Sequence, residues 1–410
     1  MSVLGNVMVG QSGGPTSVIN SSLVGVFKTA KDNGCKTVYG MRNGIEGLLN
    51  ERYVDLSTYI KNDLDIELLK RTPSSFLGTC RYKLPAAEKA PEVYERLFEI
   101  LNKLDVKYFF YIGGNDSMDT IMQLSNYAAK IGSDIRFMGV PKTIDNDLAI
   151  TDHTPGYGSA AKYIASAMKE IIRDAKTYST DSVTIVEIMG RNAGWLTAAS
   201  ALSRSEDCDG PDLIYLPEVT FDHDKFLDKI NELKKERNAL IIAVSEGVKT
   251  ADGKYVCEAN KSNVLTDAFG HKALGGTALY LSDYLSEKLS IKSRGIVFST
   301  LQRCASHLVS RRDITEAFTA GADAVVAALN GETGKMIIFK RISNAPYSII
   351  TDSYDINLIA NAEKTVPLDW IINDGTYVSK EFDDYARPLI IGELSPFMVD
   401  GLPRHLFIDK

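Results

Sequence analysis

A chain of 410 residues with 44% hydrophobic and 24% charged residues has the balance of a soluble globular protein, and the length for two or more core-sized units. Its net charge of −7 excludes a generally basic surface, so no nucleic-acid partner is expected. No stretch approaches the roughly 18 apolar residues of a membrane span, and no basic segment followed by an apolar one opens the chain, so a cytoplasmic protein without a membrane partner is expected.

Val7-Met8-Val9 reads as a strand running into Gln11-Ser12-Gly13-Gly14-Pro15-Thr16. A helix follows with Ile19, Leu23, Val26 or Phe27, and Ala30 on one face, stopped by Gly34. Strand, Gly-Gly turn and helix together present backbone N–H groups to an anion. Residues 106–112 form a continuous apolar run, as in a strand buried on both faces of a parallel sheet. The run ends in Gly113-Gly114-Asn115-Asp116-Ser117, with Ser117 placed to cap a helix that carries Ile121, Leu124, Ala128 and Ile131 and stops at Gly132. Residues 136–140 are another strand, followed by Pro141-Lys142-Thr143-Ile144-Asp145-Asn146-Asp147. Residues 151–158 have the turn composition of a crossover.

A second alternating series begins with a strand at 183–188, ending in Met189-Gly190-Arg191, and a helix over 192–203. A strand at 239–244 ends in Ser245-Glu246-Gly247, and a helix covers 275–289. A strand over 295–300 runs into Leu301-Gln302-Arg303. Asp313-Ile314-Thr315-Glu316 has the pattern of a capping box for a helix reaching about Leu329, and a turn at 330–334 precedes a strand at 336–339. Alternation of β and α predicts an α/β fold with doubly wound sheets.

The strand ends carry the chemistry. Ligands of open α/β sheets bind at the carboxyl ends of strands, and here those ends deliver Gly13-Gly14, Gly113-Gly114-Asn115-Asp116, Lys142 with Asp145 and Asp147, Gly190-Arg191, Glu246 and Arg303. Two carboxylates and an amine within seven residues suit proton removal from a hydroxyl beside a metal and a phosphate, although Asp-Asn-Asp is also ordinary turn material. The pattern points to a phosphorylated sugar and a polyphosphate held at one rim with Mg²⁺. There is no Walker loop, no G-x-G-x-x-G after a strand and no protein-kinase H-R-D set. The cysteines Cys35, Cys80, Cys208, Cys257 and Cys304 form no C-x-x-C pair and read as reduced thiols. His153, His223, His271, His307 and His405 share no spacing with a nucleophile or metal ligand and read as structural or solvated.

These segments resemble the phosphofructokinase superfamily. Ser12-Gly13-Gly14, Gly78-Thr79-Cys80-Arg81-Tyr82, Gly113-Gly114-Asn115-Asp116-Ser117, residues 141–147, Met189-Gly190-Arg191, Ser245-Glu246-Gly247 and Leu301-Gln302-Arg303 occur in the family's order. The resemblance implies two doubly wound three-layer αβα domains with the active site in the cleft between them. Residues 1–154 with about 304–365 would form the larger, donor-binding domain. Residues 155–303 with about 366–410 would form the smaller, sugar-phosphate-binding one.

Two positions bear on the phosphoryl donor. ATP-using members have a glycine where this chain has Asp116, whose carboxylate would repel a nucleotide phosphate. They also have a glycine where this chain has Lys142, a residue that neutralises the transferring group in pyrophosphate-using members. The resemblance therefore implies reversible transfer between pyrophosphate and the C1 hydroxyl of fructose 6-phosphate. An ATP-dependent member and a catalytically inactive subunit are the alternatives.

By resemblance, Asp145 is the base, Asp147 supports it or the metal, and Gly13, Gly14, Arg81 and Lys142 hold pyrophosphate. Thr143, Met189, Gly190, Glu246 and Thr300 contact the sugar, and Arg191 meets the reacting phosphoryl group or the sugar phosphate. Arg294 and Arg303 grip the 6-phosphate from a neighbouring subunit, which implies a homodimer or homotetramer. Mg²⁺ leans on Asn115, which replaces the usual aspartate, and on Asp116. Ser182 and Thr300 are further departures from the family pattern.

Overall fold

The computed structural model describes residues 4–260 and 274–408, which leaves His271 outside the described residues. Strands β1 (Asn6–Gln11), β2 (Val38–Met41), β3 (Tyr53–Asp55), β4 (Val106–Gly113), β5 (Arg136–Pro141), β10 (Lys335–Asn344) and β11 (Tyr347–Asp355) form one sheet in the order β11-β10-β5-β4-β1-β2-β3. Strands β10, β5, β4, β1 and β2 run parallel, with antiparallel β3 and β11 at the edges. Strands β6 (Ser182–Ile188), β7 (Leu213–Tyr215), β8 (Ala239–Ser245) and β9 (Lys292–Val297) form a second, all-parallel sheet in the order β7-β8-β6-β9.

Each sheet is covered on both faces, because side chains alternate along a strand. Val7 and Val9 enter one cluster with Ala320 and Ala324, while Met8 enters another with Ile121 and Leu124. In the second sheet Val183 and Ile185 pack with Leu281 and Leu285, and Val186 and Ile188 with Ile164 and Met168. The helices supplying these partners are α2 (Asn115–Ile131), α3 (Tyr157–Ala175), α4 (Thr277–Leu289) and α5 (Arg311–Leu329), and α1 (Ile19–Asp32) adds Ile19 and Leu23 to the first cluster. The architecture is thus two doubly wound three-layer units.

α5 crosses α1 at backbone contact. A Cβ on Gly25 would lie 2.1 Å from the Phe318 carbonyl oxygen, and one on Gly321 2.1 Å from that of Ser22. Only glycine at both positions permits this approach, which anchors residues 311–329 to the first sheet.

Several local expectations are corrected. Ser117 does not cap α2, which begins at Asn115 with Gly114 as its N-cap, so Asn115 and Asp116 lie in the first turn. The capping box near 313 is displaced: Ser310 caps α5 by accepting from the Asp313 N–H. Asp313 and Glu316 are instead drawn into tertiary contacts. The helix expected over 192–203 is an α-turn at Trp195–Ala198 continued as 3₁₀ at Ala199–Ser203. Strand β9 ends at Val297, before the expected 300, because Ser299 at φ +47° turns the chain into a short helix, Leu301–Cys304. α3 begins only at the end of the expected crossover region, at Tyr157, and runs on to Ala175; Ile164, Met168 and Ile172 at spacing four were its signal.

Candidate active site

The strand ends of both sheets meet around a cavity of about 650 Å³. Its walls carry five cations (Arg81, Lys83, Lys142, Arg191, Arg303) and five carboxylates (Asp116, Asp145, Asp147, Glu246, Glu363). So many charges of both signs suit a small, multiply charged ligand rather than an apolar one.

The first wall is the Ser12-Gly13-Gly14-Pro15 loop after β1. Gly13 has φ +73°, a left-handed conformation that glycine accepts at no steric cost. Thr16 Oγ1 accepts from the Ile19 N–H at 2.9 Å just ahead of α1, whose N-cap is Val18, and the loop rather than this helix start lines the cavity. Lys142, only 2% exposed at the end of β5, donates from Nζ to the Gly14 carbonyl at 2.7 Å. Burial pulls its pKa down to about 8, against Asp145, which favours the charged form.

The segment after Lys142 turns back on itself. The Asp145 N–H donates to Thr143 Oγ1 at 3.1 Å, and the Thr154 hydroxyl donates to the Thr143 carbonyl at 2.8 Å. Burial raises the Asp145 pKa, opposed by Lys142 and Arg191. Burial also raises Asp147, helped by Asp145 and Glu363. Glu246 is pushed up to about 7 by burial and then by Asp145. Three carboxylates are thus held near one point at the cost of easy ionisation, the usual electrostatic signature of a proton-handling site.

The opposite wall comes from the second sheet. Gly190, at φ +135°, bends the chain after β6, and the Ser245 hydroxyl donates to its carbonyl at 2.5 Å. Ser245 Oγ accepts from the Gly247 N–H at 3.1 Å. A Cβ on Gly247 would lie 1.8 Å from the Arg191 carbonyl oxygen, so glycine there sets where Arg191 leaves the sheet. Gln302 accepts from the Met189 N–H at 3.3 Å and donates to the Ser299 carbonyl at 2.9 Å, which carries Arg303 back over the Gly14 loop.

The cavity therefore gathers Gly13, Gly14, Arg81, Asn115, Asp116, Lys142, Thr143, Asp145, Asp147, Met189, Arg191, Glu246 and Arg303. Gly190 stands directly behind two of them without lining it. Arg294 and Thr300 are not brought in. Arg294 is exposed on β9 and lines a separate hollow with Glu170, Asp174 and Lys292. The expectation that a neighbouring subunit supplies both arginines is corrected for Arg303, which the turn at Ser299 places in its own chain's cavity.

Sequence reasoning missed Ser12, Lys83, Asn192, Asn361 and Glu363. Lys83 lies two residues beyond Arg81, a spacing that shares a face in extended chain. Asn361 and Glu363 come from irregular chain with no motif. Asn192 Nδ2 donates to both Glu363 oxygens at 3.2 and 3.3 Å, tying the two walls together.

Among the described residues no group of three or more His, Cys, Asp or Glu could hold a metal ion. Asn115 does fit a hard cation. Its Nδ2 donates to the Ala362 carbonyl at 3.1 Å, while its Oδ1 is buried with no hydrogen-bond partner in the protein. With the neighbouring Asp116 carboxylate, that oxygen suits an ion whose remaining ligands come from substrate phosphates and water.

Two doubly wound sheets meeting at a cleft of glycine loops, fixed cations and buried carboxylates define an enzyme of phosphoryl transfer. The chain belongs to the phosphofructokinase family, whose model matches residues 6–328. It is 40% identical over 403 residues to the pyrophosphate--fructose 6-phosphate 1-phosphotransferase of Halomonas elongata, covering 97% of this chain and 95% of that protein. The pyrophosphate-dependent phosphofructokinase of Nitrosospira multiformis superposes with a TM-score of 0.88 at 38% identity, covering 98% of this chain and 95% of the other. That of Marinobacter aquaeolei gives 0.87 at 35%, covering 99% and 98%.

Proposed function

We propose that the protein transfers a phosphoryl group reversibly from pyrophosphate to the C1 hydroxyl of fructose 6-phosphate, giving fructose 1,6-bisphosphate and phosphate. The observation that carries the donor choice is the pairing of Asp116, in the first turn of α2, with buried Lys142 across the same cavity. In this reading the carboxylate repels a longer polyphosphate, while the amine, which donates to the Gly14 carbonyl, meets the shorter donor.

In this reading Asp145 accepts the proton from the C1 hydroxyl as its oxygen attacks the nearer phosphorus, and the P–O bond to the departing phosphate breaks. Lys142, Arg191 and Arg81 balance the charge that spreads over the transferring group. Asp147 orients Asp145. Thr143, Met189, Gly190 and Glu246 hold the sugar and Arg303 its 6-phosphate. Asn115 and Asp116 would hold Mg²⁺, which supplies charge neutralisation to pyrophosphate when bound. No covalent intermediate on the protein is needed.

We assign the donor to the unit built on residues 1–154 with about 304–365, and the sugar to residues 155–303 with the remaining chain. Exposed Arg294 lies outside its own cavity and fits a homo-oligomer in which it serves a neighbouring copy. We take the enzyme to be cytoplasmic; no helix among the described residues is long and apolar enough to cross a membrane.

The direct test is bisphosphate formation with Mg²⁺ and either pyrophosphate or ATP, repeated with a chelator. Turnover with pyrophosphate alone, lost on chelation, is the expected result; turnover with ATP alone would overturn the donor assignment. Asp116→Gly is expected to admit ATP as a weak donor, because it removes like-charge repulsion without building nucleotide contacts. An unchanged, undetectable ATP rate in that variant would show that Asp116 is not the discriminating group.

A further inference from the structure

His153, only 1% exposed, lies between two carboxylates. Its Nδ1 is 2.8 Å from Asp152 Oδ2 and its Nε2 is 2.8 Å from Glu316 Oε2. A neutral imidazole carries a single N–H, so one contact would set a ring lone pair against a carboxylate oxygen. Only the doubly protonated ring donates in both directions.

The surroundings complete the balance. Arg341 on β10 donates from Nε and Nη2 to Asp152 Oδ2 at 3.0 and 2.8 Å. The Tyr347 hydroxyl on β11 donates to Glu316 Oε1 at 2.8 Å, and Phe339 stacks on the imidazole with ring centroids 5.0 Å apart. Asp313, one turn before Glu316 on α5, accepts from the Gly156 and Ser159 N–H groups. Lys364 Nζ donates to the carbonyls of Thr151 and Asp152 at 3.0 and 2.7 Å. Two carboxylates at the ring thus face an imidazolium and a guanidinium, with Asp313 and Lys364 flanking them; a neutral His153 would leave the Asp152–Glu316 pair short of one positive charge.

The cluster reaches the loop that carries the candidate base. The Tyr385 hydroxyl donates to the Asp152 carbonyl at 2.7 Å and accepts from Asn146 Nδ2 at 2.8 Å. Asn146 stands between Asp145 and Asp147 at φ +55°, and its Oδ1 accepts from the Thr154 N–H at 3.1 Å. One half of its carboxamide is thereby tied to Asp152 through Tyr385, the other to the residue following His153.

We propose that His153 is a positioning residue, held as an imidazolium, which braces the Asp145-Asn146-Asp147 loop through Asp152, Tyr385 and Asn146. It touches no reacting atom, and the proposal rests on the reading of Asp145 as base. Burial alone would lower the His153 pKa, but Glu316 and Asp152 outweigh it and raise the value. The folded state therefore holds an extra proton, and the bracing is lost as pH rises through the folded pKa rather than as it falls.

The test is nitrogen-15 NMR of the full enzyme carrying labelled histidine, combined with kinetics. The signal absent from His153→Gln should show both ring nitrogens protonated at a pH where other histidines are neutral. A His153 that titrates in the ordinary range would overturn the proposal. Tyr385→Phe and His153→Gln should each lower kcat about tenfold or more while KM for both substrates changes by less than about threefold, since misplacement acts on the reacting geometry. The alkaline decline of kcat in the native enzyme should lose its His153 component in His153→Gln and keep the one set by Lys142, whose pKa is pulled down to about 8. If that variant fails to fold, His153→Gln/Glu316→Gln restores charge balance and is expected to fold. An unaltered kcat in Tyr385→Phe would reduce the cluster to a purely structural one and defeat the proposal. Retained turnover in Asp145→Asn would strike the base assignment instead, leaving the NMR result standing.

Discussion

Asp145→Asn is expected to lower kcat for pyrophosphate-dependent bisphosphate formation by about 10²–10⁴-fold, the usual range for removing a general base. Asparagine keeps the shape and the backbone bond to Thr143 Oγ1 but accepts no proton. The native enzyme should also lose activity on the acid side as Asp145 becomes protonated. Because burial raises its pKa above the ordinary carboxylate range, that decline sets in at a higher pH than for a solvated aspartate. The variant's residual rate should lack it.

Stability should move the other way. A raised carboxylate pKa means that the folded state binds more protons than the unfolded one between the two values, so raising pH through that window costs stability. Asp145→Asn removes this penalty, and the ligand-free variant should melt at a higher temperature at neutral pH. A lower kcat with a raised Tm would separate loss of chemistry from loss of fold; wild-type kcat in the variant would eliminate Asp145 as the base.

Lys142→Met should cut pyrophosphate turnover by about 10²–10³-fold, the typical cost of deleting one fixed group that meets developing charge. Methionine nearly matches the volume, so packing at the end of β5 survives. Lost are the bond to the Gly14 carbonyl and the positive charge facing Asp145. With that charge gone the Asp145 pKa should rise further, and the acid decline should move to higher pH than in the native enzyme. Steady-state kinetics over a pH series reads both effects. Turnover within about twofold of native, with no displacement of the acid decline, would remove Lys142 from the reaction, because a fixed cation so placed cannot be neutral to both.

Much of this was readable from the chain because the site is built on strand ends, where apolar runs stop abruptly at glycine and charge. Gly13-Gly14, Lys142 to Asp147, Gly190-Arg191 and Glu246 each announce themselves within a few residues. Glu363 and Asn361 do not, since they reach the cavity from irregular chain whose path is set by distant contacts such as Asn115 to the Ala362 carbonyl. Asp313 illustrates a different failure. Its spacing from Glu316 imitates a capping box, yet its carboxylate is committed to the N–H groups of Gly156 and Ser159, more than 150 residues away. His153 looked bland for the same reason: its partner Glu316 is 163 residues distant, and no local pattern marks the pair. Thr300 was misplaced by a strand boundary three residues too late, which straightened a turn that the structure makes at Ser299.

The cavity wall runs from Ser12 to Glu363. A ribosome-bound chain can complete both strand-end glycine loops of the first sheet and the whole of the second sheet while still lacking the segment that ties Asp147, Asn192 and Asn115 together. Closure of the pocket thus has to await synthesis of residues 361–363, and it requires contacts of very high sequence separation, which form slowly. A nascent or C-terminally clipped chain would contain the motif residues up to Arg303 and still have an open site.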